Sequence, residues 1–258
     1  MIHEWDLGFL QEDWNERRIA ELNLLLKKDS PDKILEWTVD WLFPWVSMAC
    51  SFGLEDVVLL HMVAQLEQKP KIFFIDTGRI HQETYELVDR IRQRYQLAID
   101  VYSPDGKAVA DMSSSFGYSH IYESHDHRKA CCEVRKLVPL RQALEGSRGW
   151  VTGLRRQQNT TRQATEVLQI DYANGNILKI NPLCNWTTED VWAFVKKNNI
   201  PYNSLHDKGF PSIGCAPCTR AIQDGEDLRA GRWWWENSAT RECGLHNGKR
   251  NRIEVNNG

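Results

Sequence analysis

Apolar residues recur at three- and four-residue spacing through Ile19, Leu22, Leu25 and Leu26, the period of an amphipathic helix. Ser30-Pro31-Asp32 interrupts that pattern and opens a second helix through Ile34, Trp37 and Trp41 to Leu42. Trp37 and Trp41, four residues apart, read as packing rather than chemistry. From residue 45 the pattern changes to short apolar runs, each ending in a polar turn. Residues 45–50 read as a strand that meets Ser51-Phe52-Gly53-Leu54-Glu55-Asp56 and then a helix carrying Val57, Val58, Leu60, Met62, Val63 and Leu66. Residues 71–75 read as a second strand, ending at Asp76-Thr77-Gly78-Arg79 before a helix from Glu83 to about Tyr95. Residues 97–102 give a third strand, followed by Ser103-Pro104-Asp105-Gly106 and another helix. Residues 149–153 give a fourth, ending in Leu154-Arg155-Arg156-Gln157. Asn174-Gly175 between the apolar stretches 167–172 and 177–180 is a hairpin turn signal. Thr187-Thr188-Glu189-Asp190 caps a last helix with Val191, Trp192, Phe194 and Val195.

Strands alternating with helices over residues 45–183 predict an α/β fold, a mostly parallel twisted sheet with helices on both faces. Residues 1–45 form an N-terminal helical cover, 46–225 the α/β body and 226–258 a C-terminal extension, all within one domain. A chain of 258 residues with 41% hydrophobic and 26% charged content is ordinary for a globular protein with a sizeable core. A net charge of -3 gives no global reason to expect nucleic acid or membrane. The first residues are polar, without the apolar stretch of a secretory signal, and no apolar run approaches the roughly 20 residues of a membrane span. A cytoplasmic location is therefore expected. Thiols stay reduced there, so the seven cysteines read as metal ligands or reactive groups before disulfides. The sequence leaves the oligomeric state open, a homo-oligomer included.

The cysteines fall into a pattern. Cys131 and Cys132 are adjacent, Cys215 and Cys218 form a Cys-x-x-Cys pair, and Cys243 stands apart. Neighbouring Cα atoms lie about 3.8 Å apart, whereas unstrained disulfides want roughly 4.4 to 6.8 Å. A Cys131–Cys132 bond would be strained. Adjacent thiolates can instead bind different irons of a [4Fe–4S] cube, with Cys215 and Cys218 taking the other two. A single zinc ion suits the Cys215/Cys218 half but suits adjacent cysteines poorly. Lys136, four residues after Cys132, shares its face if the segment is helical, and brings positive charge to an anionic cluster or substrate. Cys243 has Arg241 beside it and Arg229 and Arg232 upstream; nearby cations favour the reactive thiolate. Cys50 and Cys184 read as buried structural thiols. His120, His125 and His127 fall where the periodic pattern dissolves and read as surface histidines.

The strand ends carry donors suited to a nucleotide. Ser51, Phe52 and Gly53 form a turn into a helix N-terminus, the place where α/β folds present N–H groups to phosphate, although neither a Walker A lysine nor a three-glycine fingerprint is present. Asp76 can accept from a ribose hydroxyl, Thr77 can donate or accept, and Gly78 lets the backbone come close. From residue 128 to 162 there are nine Lys/Arg against two Glu, and Arg155 and Arg156 suit an anion.

These motifs together resemble the assimilatory sulfonucleotide reductases, specifically the iron–sulfur adenylyl-sulfate (APS) reductases. The resemblance runs from about Ser47 to His246. Its markers are Ser51-Phe52-Gly53, Asp76-Thr77-Gly78-Arg79 with Glu83-Thr84-Tyr85, Cys131-Cys132-x-x-Arg135-Lys136, Gly153-x-Arg155-Arg156, Cys215-x-x-Cys218, Arg229-Ala-Gly-Arg232-Trp-Trp-Trp-Glu236 and Glu242-Cys243-Gly244-Leu245-His246. The resemblance implies an adenine-nucleotide α-hydrolase-like fold whose phosphate loop spans residues 46–56. It implies one [4Fe–4S] cluster per chain on Cys131, Cys132, Cys215 and Cys218 that passes no electrons to substrate. It makes Cys243 the nucleophile that takes the sulfo group from APS and releases AMP, with thioredoxin or glutaredoxin as reductant and sulfite as product. Ser51, Phe52, Gly53, Asp76, Thr77, Gly78, Arg79, Lys136, Arg155, Arg156, Arg229, Arg232 and His246 become substrate-binding candidates. Three rivals stand beside this reading: a reductase of 3′-phosphorylated APS (PAPS), an ATP-using enzyme of the tRNA sulfurtransferase kind, and a regulator that binds iron–sulfur or zinc without turnover.

Overall fold

The computed structural model describes residues 14–159 and 162–236. Helix α1 (Glu16–Leu26) is capped by Asn15, whose side chain accepts from the Arg18 N–H at 2.9 Å. Helix α2 (Pro31–Leu42) places Pro31 in its first turn, where a missing N–H leaves nothing unpaired. Ile34, Leu35, Val39 and Leu42 are buried, and Trp37 and Trp41 form a half-buried aromatic cluster with Trp14.

The apolar runs become β1 (Val46–Ala49), β2 (Lys71–Ile75), β3 (Asp100–Tyr102) and β4 (Gly149–Val151), and the hairpin becomes β5 (Leu168–Asp171) and β6 (Ile177–Ile180). They build one six-stranded sheet of order β3-β2-β1-β4-β6-β5. Every neighbouring pair is parallel except β5 with β6. Helices α3 (Leu54–Gln65), α4 (Gln82–Tyr95) and α5 (Gly106–Phe116) follow the first three strands, and α8 (Thr188–Lys197) follows the hairpin. Helix α3 is apolar nearly all round, because α2, α4 and α8 all pack on it. The chain leaves β1 for β2 and β3 on one side and returns to β4 on the other. The sheet therefore has a switch point between β1 and β4, where open α/β sheets leave a crevice beyond their strand ends.

Three local expectations need correction. Pairing in β3 begins only at Asp100, although Leu97 and Ile99 are already buried in extended chain ahead of it. His120 is not a surface residue but fully buried, within a tight turn under Phe116, with its Nδ1 2.5 Å from the Gly117 carbonyl. The helix through the paired cysteines is not uniform either. Helix α6 (His125–Cys132) and α7 (Val138–Ala143) are joined by one π-helical turn, Glu133–Leu137, closed by the Val138 N–H on the Glu133 carbonyl. Pro139 lacks an N–H for the α-helical ladder, which favours this wider turn.

The hairpin is tied to the parallel sheet by a buried charge. The Trp150 indole donates to Asp171 at 3.0 Å, and Lys179 lies 3.8 Å from the same carboxylate and over the Trp150 ring. Removing one partner of such a buried set costs about 3–5 kcal/mol. Asp171→Ala is therefore expected to lower the urea midpoint by that order, and Asp171→Asn, which keeps an acceptor for Trp150, by less.

Candidate active site

A cavity of about 610 Å³ opens beyond the strand ends at the switch point, a size typical of small-ligand sites. Ser51 and Gly53 after β1, Thr77 after β2, and Thr152, Gly153 and Arg155 after β4 line it. Lys136, Cys215, Arg229, Arg232 and Trp233 close one side. A side chain at Gly153 would collide with Glu55 and Asp56, so glycine is what lets the end of β4 lie against the first turn of α3. Phe52 sits between the lining residues but points away: it is buried against Phe74 at 5.2 Å, with its backbone at φ 58. A bulky residue in the left-handed region is strained by about 1–3 kcal/mol, and burial of its ring offsets that cost.

Not every candidate meets this cavity. The Asp76 carboxylate accepts from the Gly78 N–H at 2.8 Å and from the Tyr85 hydroxyl at 2.9 Å, closing its own turn. Arg79 turns to the other side and donates to the Tyr118 carbonyl. Arg156 points outward, donating to Glu166 at 2.9 Å and to the Thr165 carbonyl at 2.6 Å. Arg155 does line the cavity, but it is buried and already holds Glu55 at 2.7 Å. Cys243 and His246 lie outside the described residues.

Asp56 was not singled out from sequence, since an acid in a helix first turn usually only caps. Here it is buried and receives both the backbone N–H and the hydroxyl of Ser51, at 2.6 and 2.7 Å. Burial drives its carboxyl up to about 6, against the pull of those two donors. His206 also lines the cavity. Burial lowers its pKa, opposed by Glu55, and its Nε2 is buried without a hydrogen-bond partner.

The four paired cysteines converge behind Lys136. Cys131, Cys132, Cys215 and Cys218 wall one small cavity together with Arg79, Arg128, Arg135, Lys136 and Trp233. The loop holding Cys215 is pinned to the end of β2 by Ala216 donating to the Arg79 carbonyl at 2.7 Å. The Trp233 N–H returns to the Cys218 carbonyl at 3.2 Å. Gly214 has no side chain because the Arg232 guanidinium occupies that space. Lys136, Cys215 and Trp233 line both cavities and form their common wall. Lys136 opposes burial at Cys215. Burial pushes the Cys215 thiol up, but Lys136, the Thr77 hydroxyl 3.3 Å from its sulfur, and Arg232 hold it below its ordinary value. Burial raises Cys131 against Arg79 and Arg135, and burial with the neighbouring Cys215 pushes Cys218 up to about 12.

The set fits a thiolate-bound cluster on two observations. Four sulfurs face one cavity lined with guanidinium and ammonium groups. The buried Nε of Arg135 and the Trp233 indole N–H have no hydrogen-bond partner, which leaves donors for an anion. Among the described residues no three His, Cys, Asp or Glu side chains are gathered as ligands of one metal ion. A cube, whose thiolates bind different irons, asks for a more open set. The six cysteines of the described residues are free thiols, with Cys50 and Cys184 buried. No helix among the described residues is long and apolar enough to cross a membrane.

Residues 45–221 match the model of the phosphoadenosine phosphosulfate reductase domain. The chain belongs to the phosphoadenosine phosphosulfate reductase family. Within that family, the adenosine 5'-phosphosulfate reductase of Allochromatium vinosum is 50% identical over 78% of this chain and 78% of its own. The enzyme of the same name from Burkholderia cepacia is 47% identical over 78% of this chain and 80% of its own. Among solved structures, phosphoadenylyl-sulfate reductase from Candida auris in a phosphate complex superposes with a TM-score of 0.70 at 30% identity, covering 82% of this chain and 99% of that one. FMN adenylyltransferase from Candida glabrata, at 16% identity and a TM-score of 0.52 over 91% of this chain and 82% of its own, shares the fold.

The position of Asp56 gives a signed pH prediction for this family member. Burial holds its pKa at about 6, above the ordinary carboxyl value of 3.8, so the native state binds its proton more tightly than the unfolded chain. The resulting stability is full below about pH 4 and is lost as pH rises through about 6, a change of about 3 kcal/mol. Urea denaturation of Asp56→Asn and the parent chain should show the variant gaining relative stability from pH 5 to pH 8. A difference that stays flat across that range would contradict the assignment.

Proposed function

We propose that this protein reduces adenosine 5'-phosphosulfate to sulfite and AMP, with Cys243 as nucleophile and a dithiol protein of the thioredoxin class as reductant. The observation that carries the reading is the common wall of Lys136, Cys215 and Trp233 between a nucleotide-sized cavity and a four-cysteine cavity. The names of the relatives at 50% and 47% identity support the substrate. Arg155 is already paired with Glu55. Lys136, Arg229 and Arg232 also line the cavity and are the cations we assign to a phosphosulfate. Sulfo transfer from a mixed anhydride needs a soft nucleophile and a stabilised leaving group. AMP leaves readily, so the protein's task is positioning and charge stabilisation. The N-terminus of α3, with Ser51 and Gly53 in the turn before it, borders the cavity and suits the α-phosphate, although the Ser51 N–H itself is given to Asp56.

Cys131, Cys132, Cys215 and Cys218 would hold a [4Fe–4S] cluster, which supplies charge and shape beside the site and no electrons to substrate. Arg128, Arg135 and Lys136 would balance its charge. PAPS is the second reading, favoured by the likeness to the Candida auris enzyme.

Sulfite release with reduced thioredoxin, given APS and PAPS in parallel, tests the assignment. Sulfite from APS alone is expected, and sulfite from neither would refute it. Cys243→Ser is expected to abolish sulfite release while leaving iron content at about four per chain with about four acid-labile sulfides. Lys136→Ala should lower kcat/KM by about 100-fold with the urea midpoint nearly unchanged; a protein that merely unfolds would make Lys136 structural.

A further inference from the structure

Exposed aromatic side chains gather over the outer wall of the cysteine cavity. Tyr118 is 76% exposed, Phe116 48%, Tyr122 45% and Trp234 36%. Tyr122 packs on Trp234 at 6.3 Å and on Trp235 at 4.5 Å. Its hydroxyl donates to the Pro217 carbonyl, and the Tyr118 carbonyl accepts from Arg79. Pro217 and Arg79 both wall the cysteine cavity. Residues 116–122 carry no Asp, Glu, Lys or Arg. Such a ledge is unusual on a free surface and typical of the centre of a docking site.

The ledge also adjoins the point from which the chain continues to Cys243. Glu236 is clamped by buried Arg128, whose Nε and terminal N–H donate to the two carboxylate oxygens at 2.8 Å each. Cys243 follows seven residues later, a span of at most about 25 Å even when fully extended. Whatever reduces a group carried on Cys243 must dock within that radius of Glu236, and Trp234 is two residues away.

We propose that the ledge of Tyr118, Tyr122 and Trp234 is the docking surface for the thioredoxin-class dithiol protein that regenerates Cys243. The proposal rests on the Cys243 assignment above. In the step it serves, a thiolate of the partner attacks the Cys243 sulfur. The bond to the sulfo group breaks and sulfite leaves with the bonding pair. The partner's second thiol then resolves the mixed disulfide, so the partner ends as a disulfide and Cys243 as a thiol. Aromatic side chains with the Arg79 guanidinium beside them suit the mixed apolar and polar core of a protein–protein contact. Two other exposed apolar pairs compete for the role: Leu24 with Leu25 on α1, and Phe43 with Trp45 before β1. Tyr118 and Tyr122 are hydrogen-bonded to Arg79 and Pro217 of the cysteine cavity's wall, whereas neither of these pairs includes a residue of that wall.

The test compares Tyr118→Ser/Trp234→Ser with Leu24→Ser/Leu25→Ser. Three quantities are read: the KM for reduced thioredoxin in sulfite release, the rate with dithiothreitol instead, and single-turnover formation of the Cys243 S-sulfo adduct by mass spectrometry. The ledge variant should raise the thioredoxin KM about tenfold or more, leave the other two readings within about twofold, and differ from the α1 variant, which should match the parent. An unchanged thioredoxin KM, or a dithiothreitol rate that falls in step, overturns the proposal. If the double variant does not fold, Tyr118→Ser alone should raise the KM about threefold, and no rise overturns it equally. A parent protein that forms no adduct would instead remove the Cys243 assignment on which the ledge depends.

Discussion

Buried sulfur near neutral pH calls for buried positive charge, and much of this structure follows from that demand. Burial drives the thiols of Cys131 and Cys218 upward, whereas Lys136, the Thr77 hydroxyl and Arg232 hold Cys215 down. The surrounding cations are therefore structural in origin as well as chemical. Arg128 is almost fully buried and is satisfied by Glu236 on one side and by the Trp233 face, 4.9 Å away, on another. Arg232 covers the same ring at 4.5 Å. A tryptophan between two guanidinium groups accommodates both charges where water does not reach, because its ring presents negative potential to each. The left-handed backbone of Trp233, at φ 44, is tolerated because these contacts and the bond to the Cys218 carbonyl over-determine it.

The sheet explains why this charged wall adjoins a nucleotide-sized cavity. Parallel strands deliver their following loops to one end, and the switch between β1 and β4 leaves the crevice there. The cysteine pairs come from distant parts of the chain, one from the end of α6 and one from the loop pinned to the end of β2. They reach the same place because β2 supplies both the Thr77 contact and the Arg79 carbonyl.

The sheet was largely legible because its signals are local. Apolar runs with polar ends gave β1, β2, β4 and the hairpin, and the Thr187 to Asp190 capping box gave the start of α8. Convergence of Cys131, Cys132, Cys215 and Cys218 could be suspected from adjacency and the Cys-x-x-Cys spacing, since adjacent thiols have few other uses. What could not be read was the direction of side chains. Arg155 and Arg156 are neighbours at a strand end, yet one faces the cavity and the other solvent, and only the fold decides which. Asp76 looked like a ribose acceptor but closes its own turn. Asp56 lies in the cavity because Gly153, from the end of β4, packs against it, a contact that the local sequence does not show. His120 sat in a stretch without periodicity, and such a stretch gives no sign of depth.

The common wall has a thermodynamic consequence. Lys136 lines the nucleotide-sized cavity on one side and the cysteine cavity on the other, and a single ammonium cannot fully neutralise negative charge placed in both. Any anion that gains affinity by drawing Lys136 towards the nucleotide cavity must, by linkage, leave the sulfur side less compensated, and the effect is equal in the reverse direction. Arg135 and Arg128 moderate that competition from the cysteine side, and Arg229 and Arg232 from the other. A group bound by the four cysteines therefore does not need to exchange electrons to influence what the neighbouring cavity holds. Under the function proposed above, the charge of a cluster acting on one shared lysine would suffice to couple the two cavities.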